Sequence, residues 1–543
     1  MHHFSFDFQD PIFEIGGWHL GLQVITFENT YGLDPEQTRL DHGGGTCRIV
    51  ADRMMWAGNQ EKAPGCAELF TSPTRDGLEI AVTASMTRKI RCTKIIVRNL
   101  PEASIIGACW REAPIGDGAV LHYPPHITNN EDERLHTPLI FLKTATGDYV
   151  YFRSLDTRVR RKGFAVYHDP SGAGVTAELL FEELGPEMAD TTATPKWRIG
   201  VTRDPDQVVS EHLEHLERHF NLVPWRLNPL IPGWLREIAL VAYIHGQHWS
   251  GYIFNDYESM LGVIKELAGR FEGRRILAHL AGWEGRYYWK YGDFTSDKRM
   301  GGAEAFTRLC SEARKLGVHI QVMLGGNCAN TSSPGFQQWG DPSRLRTAGG
   351  AIERGNSPDW DTSRSYDHPW QAWLNPGAPG WHNHLLEQAS GLIERHGVDG
   401  IFLDTHGNWL NDPNYPVYDG LLRWRDKLKR RYPNVLLSGE DWWDVLGVIT
   451  PMSHAYWMAL DRWPELFAKY NRTYGHNCWG DPGRNSSGVF EGGWREFRLV
   501  PEAEHAIPTL PIVDHTLEKA PEKVELVLEQ ARRYAAKYLE AER

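Results

Sequence analysis

Up to about residue 205 the apolar positions alternate in short runs. Leu78-Glu79-Ile80-Ala81-Val82-Thr83-Ala84, Thr93-Lys94-Ile95-Ile96-Val97-Arg98, Leu139-Ile140-Phe141-Leu142 and Tyr149-Val150-Tyr151-Phe152 are each bounded by turn residues. Period-two runs at this spacing, with no long helical period among them, predict an antiparallel β-sandwich over residues 1–205. Residues 206–221 then change period. Val209, Leu213, Leu216 and Phe220 fall at steps of four, three and four, and Pro224, Pro229 and Pro232 follow. The segment 206–232 reads as a linker helix and a proline-rich connection.

From 233 to 543 the two periods take turns. Strand-like runs cover 238–244, 275–280, 319–324, 400–404, 435–438, 454–458 and 508–513. Amphipathic helices are read at 257–271, 303–316, 382–396, 417–431, 463–474 and 520–540. Strands separated by helices of this length imply βαβ units and a parallel sheet. An eighth strand is placed in the glycine-rich stretch 477–497, which completes a (β/α)8 TIM barrel with enlarged loops. The expected fold class is therefore a β-sandwich N-terminal domain followed by a (β/α)8 barrel. A doubly wound dinucleotide fold is disfavoured, because the first strand leads into His245-Gly246-Gln247-His248-Trp249 rather than a G-x-G-x-x-G turn. Gly43-Gly44-Gly45 lacks the Lys and Ser/Thr of a phosphate loop and reads as a turn.

Composition narrows the function. The formal net charge of −12 lacks the basic footprint of a nucleic-acid binder. The 22 tryptophans point towards carbohydrate, since an indole offers an apolar face to sugar C–H groups and an edge that hydrogen-bonds. Seven scattered cysteines with no C-x-x-C pair are neither a disulfide framework nor a zinc ribbon. They fit a reducing, cytoplasmic setting. The first residues show no signal-peptide pattern, and no apolar run reaches the ~18 residues of a membrane helix. No cofactor is expected; homo-oligomerisation stays open.

Barrel chemistry sits where strands end at the C-terminal face. The exits read as follows: Trp283, Tyr287, Trp289 and Asp293 after strand two; Asn327 after strand three; Asp404, His406 and Trp409 after strand four. Glu440, Trp442 and Trp443 follow strand five, Asp461 follows strand six, and Asp514 and His515 follow the last strand. The N-terminal strand ends show nothing comparable. Two segments stand out: Gly397-Val398-Asp399-Gly400-Ile401-Phe402-Leu403-Asp404, and Leu436-Leu437-Ser438-Gly439-Glu440 one βα unit later. Adjacent strands would hold Asp404 and Glu440 on neighbouring lips of one pocket, the pair that glycoside cleavage needs. Each acid alone would also serve as a helix N-cap.

The 397–404 string resembles the fourth-strand nucleophile segment of retaining α-glycosidases of TIM-barrel type, including the α-galactosidase-like clan. Asp404 with Gly439-Glu440 is similar to the nucleophile and acid/base of the α-amylase superfamily and of endo-α-N-acetylgalactosaminidase-type enzymes. The resemblance implies a retaining glycosidase with Asp404 as nucleophile and Glu440 as general acid/base. It further implies that Asp514 grips sugar hydroxyls, as an Asp near strand seven does in many of those families. The sequence departs from amylases at Phe402 and Asn408, where they carry Arg and His. The rival acid is Asp461, because α-galactosidase-like clans take theirs after strand six. The remaining strand-exit residues are read as sugar contacts.

Two other readings stay open. A metal-dependent barrel hydrolase would use His245, His248, Asp404 and His406 as ligands, although no H-E-x-x-H spacing occurs. A non-catalytic carbohydrate-binding protein would keep the aromatics without needing the paired carboxylates. The long segment 325–373 is expected to form part of the sugar pocket.

Overall fold

Strand Gly77–Met86 buries Leu78, Ile80, Val82 and Ala84 and leaves the residues between them partly or fully exposed. That alternation is the mark of an antiparallel strand with one face on a core. The computed structural model describes residues 11–107, 110–116, 120–126, 129, 131–169, 174–248, 251–285, 289–353, 371–440, 442–455, 468–475 and 506–540. The chain forms two units. One comprises Met1–Leu222 with Arg346–Ala351 and Trp409–Pro416; the other comprises Val223–Leu345, Ile352–Asn408 and Val417–Arg543.

The first unit holds a nine-stranded and a ten-stranded sheet, antiparallel throughout. The sheets meet where Phe164 sets its ring edge-on to Trp197, centroids 5.5 Å apart. The Gly43–Gly45 segment is the turn of a hairpin: Thr38–Gly43 pairs with Thr46–Ala51, and Gly44 and Gly45 both take positive φ. Helix Pro205–Phe220 belongs to this unit. Asp204 caps its start by accepting from Gln207 N at 3.1 Å, and Asn221 ends it in the left-handed region.

The second unit is an eight-stranded parallel barrel. Its strands are β1 (Leu240–His245), β2 (Ile276–Ala281), β3 (His319–Gly325), β4 (Gly400–Asp404), β5 (Leu436–Glu440), β6 (Met452–Ala455), β7 (Arg472–Gly475) and β8 (Thr509–Ile512). They pair in sequence order. β8 returns to β1, and a parallel bridge between Tyr474 and Ile507 closes the ring. β1 and β2 are buried at every residue, which explains why they read as unbroken apolar runs. Between strands run helices Tyr257–Arg270, Gly302–Lys315, Pro379–His396 and Val417–Arg431, and Pro521–Tyr534 follows β8. Gly397, at φ 69°, ends the helix that feeds β4, and Asp399 Oδ2 then accepts Ile320 N at 2.9 Å, fixing where β4 starts beside β3.

The seventh strand lies elsewhere than expected. Arg472–Gly475 occupies the end of the segment read as a helix over 463–474. Four residues offer too few alternations to separate a strand from a helix end. The stretch 477–497 lies outside the described residues, as do 456–458, the end of the sixth predicted strand.

Tyr243, His279, Gln321, Phe402, Ser438, His454 and Tyr474 fill the lumen. Tyr243 stacks on His279 at 4.3 Å, and Phe402 meets His454 at 4.3 Å. Ser438 Oγ donates to Gln321 Oε1 at 2.8 Å, and Gln321 Nε2 lies 2.7 Å from His279 Nδ1. All seven are at most 2% exposed. Strand faces alternate, so the residue two places beyond a lumen residue also faces inward. Asp404 stands two beyond Phe402, and Glu440 two beyond Ser438. Among the described residues no helix is long and apolar enough to cross a membrane.

Candidate active site

β4 pairs with β5 through Phe402↔Ser438 and Leu403↔Gly439, which sets Asp404 level with Glu440 at the C-terminal rim. Asp404 is fully buried and Glu440 is 6% exposed. Tyr291, in the loop after β2, donates its hydroxyl to Asp404 Oδ2 at 2.7 Å. Glu440 Oε2 accepts the backbone N–H of Thr405 at 3.0 Å.

Thr405 has φ 61°, in the left-handed region that a β-branched residue avoids. Strain of this kind costs about 1–3 kcal/mol and persists only where the surroundings impose it. The surroundings here are specific. Trp443 Nε1 donates to Gly407 O at 3.0 Å, and Asn327 Nδ2 donates to Asn408 O at 3.0 Å. His406 Nε2 lies 2.8 Å from Thr450 Oγ1, and Thr405 Oγ1 donates to Cys328 Sγ at 3.4 Å. The four residues after Asp404 are thus pinned from the exits of β3 and β5 and from the segment before β6. Gly439 makes room for this: a Cβ there would sit 2.0 Å from His406 Cε1.

Burial sets the protonation of the surroundings. His406 is pushed down to about 3 and stays neutral. Burial, with the Asp404 charge adding to it, raises the Cys328 thiol well above its usual range. Burial also raises Tyr243, with the charges of Tyr474, Asp404 and Glu440 adding to it. On the exit of β2, Glu284 is fully buried, and neither carboxyl oxygen has a hydrogen-bond partner among the described residues. Burial pushes its carboxyl up to about 8, so it is neutral at pH 7.

The other expected contacts divide. Trp283 is turned into the core, donating to Met323 O at 3.0 Å and stacking on Phe306 at 4.9 Å. Trp442 is buried. Trp289 is half-buried, its carbonyl accepting from Asn330 Nδ2 at 2.7 Å. Asp293 accepts from Thr295 and Lys290 within its own loop. Asp514 accepts from Tyr252 at 2.9 Å, beside an exposed His515 in the left-handed region. Trp409 lies in the first unit, its backbone N–H donating to Pro125 O at 3.4 Å. Tyr287 and Asp461 lie outside the described residues.

His245 and His248 both set their rings against the edge of Phe254, at 5.6 Å. Among the described residues no group of three or more His, Cys, Asp or Glu side chains is arranged to hold a metal. In segment 325–373, Cys328–Asn330 pairs with Gln371–Trp373, which brings Cys328 beside Thr405. Tyr291, Cys328, Thr405 and Thr450 are site residues that the sequence did not reveal. Tyr291 follows a run of aromatics in which nothing marks one hydroxyl as the partner of Asp404.

No family model and no curated protein matches the chain. Solved structures do. The ligand-free α-N-acetylgalactosaminidase NagBb from Bifidobacterium bifidum aligns with a TM-score of 0.65 at 13% identity, covering 96% of this chain and 93% of that one. The α-galactosidase from Lactobacillus brevis aligns with a TM-score of 0.52 at 14% identity, covering 98% and 73%. The GH36 α-galactosidase AgaA from Geobacillus stearothermophilus gives 0.51 at 12%, covering 96% and 76%. The likeness establishes a shared architecture of N-terminal antiparallel sheets and a parallel barrel.

Proposed function

We propose that the protein is a retaining α-glycoside hydrolase in which Asp404 is the nucleophile and Glu440 the general acid/base. The observation that carries the reading is the level placement of the two buried carboxylates on adjacent strands, both facing the lumen at the rim. Neighbouring strands run about 4.8 Å apart. That spacing suits the ~5–5.5 Å carboxyl separation of retaining enzymes better than the wider gap that holds an inverting enzyme's water.

Asp404 attacks the anomeric carbon while Glu440 gives its proton to the departing oxygen. Glu440 then takes a proton from water, which attacks the same carbon and releases Asp404 from the glycosyl ester. Tyr291 holds Asp404 Oδ2, and the Thr405 N–H holds Glu440 Oε2. A galactose-configured sugar, with or without an N-acetyl group, is the substrate class supported by the names of the structural neighbours. The buried imidazoles and phenols beneath the acids supply the low-dielectric floor on which such charge movement depends.

The test is a panel of aryl α- and β-glycosides of galactose, N-acetylgalactosamine and glucose, with NMR detection of the first-formed anomer. Release of the α-anomer from an α-galacto substrate supports the reading. Initial release of the β-anomer removes retention, and inertness towards all α-glycosides removes the activity.

A further inference from the structure

The first unit contains a cavity of about 860 Å³, lined wholly by residues of that unit. Strand ends and their turns converge there, at residues 16–18, 73–78, 98–102 and 144–150, together with Val201. The volume lies in the range of ligand sites, roughly 300–1,000 Å³. Leu78 and Val150 give it an apolar floor. Half-buried Trp18 lines the wall, and Gly17 leaves the lip open, with nothing within 4 Å of where a Cβ would stand.

Two carboxylates are held in place at the wall. Asp76 Oδ1 accepts from Arg198 Nη2 at 3.0 Å and Thr74 Oγ1 at 3.1 Å, and its Oδ2 accepts from Tyr151 at 2.6 Å. Asp148 Oδ1 accepts from Arg203 Nε at 2.9 Å, and its Oδ2 accepts from Thr146 Oγ1 at 3.1 Å. Their side chains remain 27% and 30% exposed. A carboxylate has about four lone-pair sites, so each keeps accepting capacity. Burial raises Asp76, but the hydrogen bonds from Tyr151 and Arg198 outweigh it and hold the carboxyl below its usual range. The bond from Arg203 does the same for Asp148. With Glu102 the lining carries three acids and one base, Arg98, while Arg198 and Arg203 pair with Asp76 and Asp148.

We propose that this cavity binds a neutral oligosaccharide, with the Trp18 ring under a pyranose face and the fixed carboxylates of Asp76 and Asp148 accepting sugar hydroxyls. An aromatic face beside oriented acceptors matches a ring whose faces are C–H and whose edges are O–H. Counting Arg198 and Arg203, acids and bases at the wall balance, so the site offers no net charge to a phosphorylated or uronic ligand and suits a neutral one. The site is independent of the hydrolase reading, since none of its residues belongs to the barrel.

The experiment is affinity electrophoresis of the full chain carrying Asp404→Asn, in native gels containing galactomannan, soluble starch or polygalacturonate. Retardation by at least one neutral polymer is expected. Trp18→Ala and Asp148→Asn should each weaken it about tenfold while leaving the melting midpoint near that of the parent. In the Asp404 background, both should leave turnover of a small aryl glycoside unchanged. No retardation by either neutral polymer, retardation unaltered by both substitutions, or stronger retardation by polygalacturonate would each overturn the proposal. A chain inert towards every aryl glycoside yet retarded through Trp18 keeps this site and loses the hydrolase; an active chain that no neutral polymer slows does the reverse.

Discussion

The backbone N–H of Thr405 donates to Glu440 Oε2 across the β4–β5 junction, at 3.0 Å. Only the left-handed turn at Thr405, one residue past Asp404, separates the two acids along this path. The strained backbone therefore spaces one carboxylate from the other, and the loop that enforces the strain is part of the site's geometry.

Asp404→Asn keeps the shape and the Tyr291 contact but removes the proposed nucleophile. We expect kcat on an aryl α-glycoside to fall by at least about a thousandfold with the melting midpoint nearly unchanged. Turnover near that of the parent would withdraw the role of Asp404.

Glu440→Ala should keep much of its first-step rate on a substrate with an activated leaving group and fail on a natural glycoside. Added azide should accelerate it, because a small anion replaces the water that needed a base. Asp461→Ala should show neither behaviour. Azide rescue of Asp461→Ala alone would move the acid/base to strand six.

Tyr291→Phe deletes one hydrogen bond to a carboxylate, worth about 1.5–3 kcal/mol. The expected loss is roughly 10–100-fold in kcat with KM little changed, because the contact is to Asp404 rather than to sugar. A loss confined to KM would mean that Tyr291 meets substrate.

Gly439→Ala forces a methyl group into the His406 ring. The ring must move and lose Thr450, which we expect to cost about 1–3 kcal/mol of stability by urea denaturation and to lower activity with it. Unchanged stability would show that the loop after β4 is looser than described.

Stability should peak just below neutral pH. His126 is lowered to about 4, and His136, His279 and His406 to about 3, in each case chiefly by burial, from an ordinary 6.5. These four stay neutral in the fold while the unfolded chain takes up their protons below pH 6.5, so stability is lost as pH falls. Glu284 works the other way. Its carboxyl is raised to about 8 from 4.5, so its contribution is complete below pH 4.5 and is lost as pH rises towards 8. Four histidine protons outweigh one carboxyl proton between about pH 4.5 and 6.5, and between about pH 6.5 and 8 the carboxyl sets the slope among these groups. The alkaline slope should be about 1.4 kcal/mol per pH unit. Urea midpoints from pH 5 to 8 should show it in the parent and lose it in Glu284→Gln.

The barrel was legible because β4 and β5 are apolar runs that each end in an acid, and a strand tip in a parallel barrel has only one functional face. The aromatic surroundings were less legible. An indole on a strand exit looks the same in sequence whether it meets sugar or, like Trp283, packs on Phe306. Tyr291 reaches Asp404 through the path of a loop, and Thr405 adopts a conformation that its residue type argues against, so neither leaves a local signal. β7 was missed because Arg472–Gly475 is shorter than the period needed to identify it.

The filled lumen has a kinetic consequence. Among the described residues, Tyr243, His279, Phe402, His454 and Tyr474 are packed beneath the acids, each at most 2% exposed, and fill the lumen on that side. On the proposed retaining mechanism, the aglycone and the water that later cleaves the glycosyl ester would then share the doorway at the C-terminal rim. Departure of the first would precede arrival of the second, and an alcohol waiting at that doorway would compete with water for the trapped sugar. Barrel packing would thereby bear on the balance between hydrolysis and transfer.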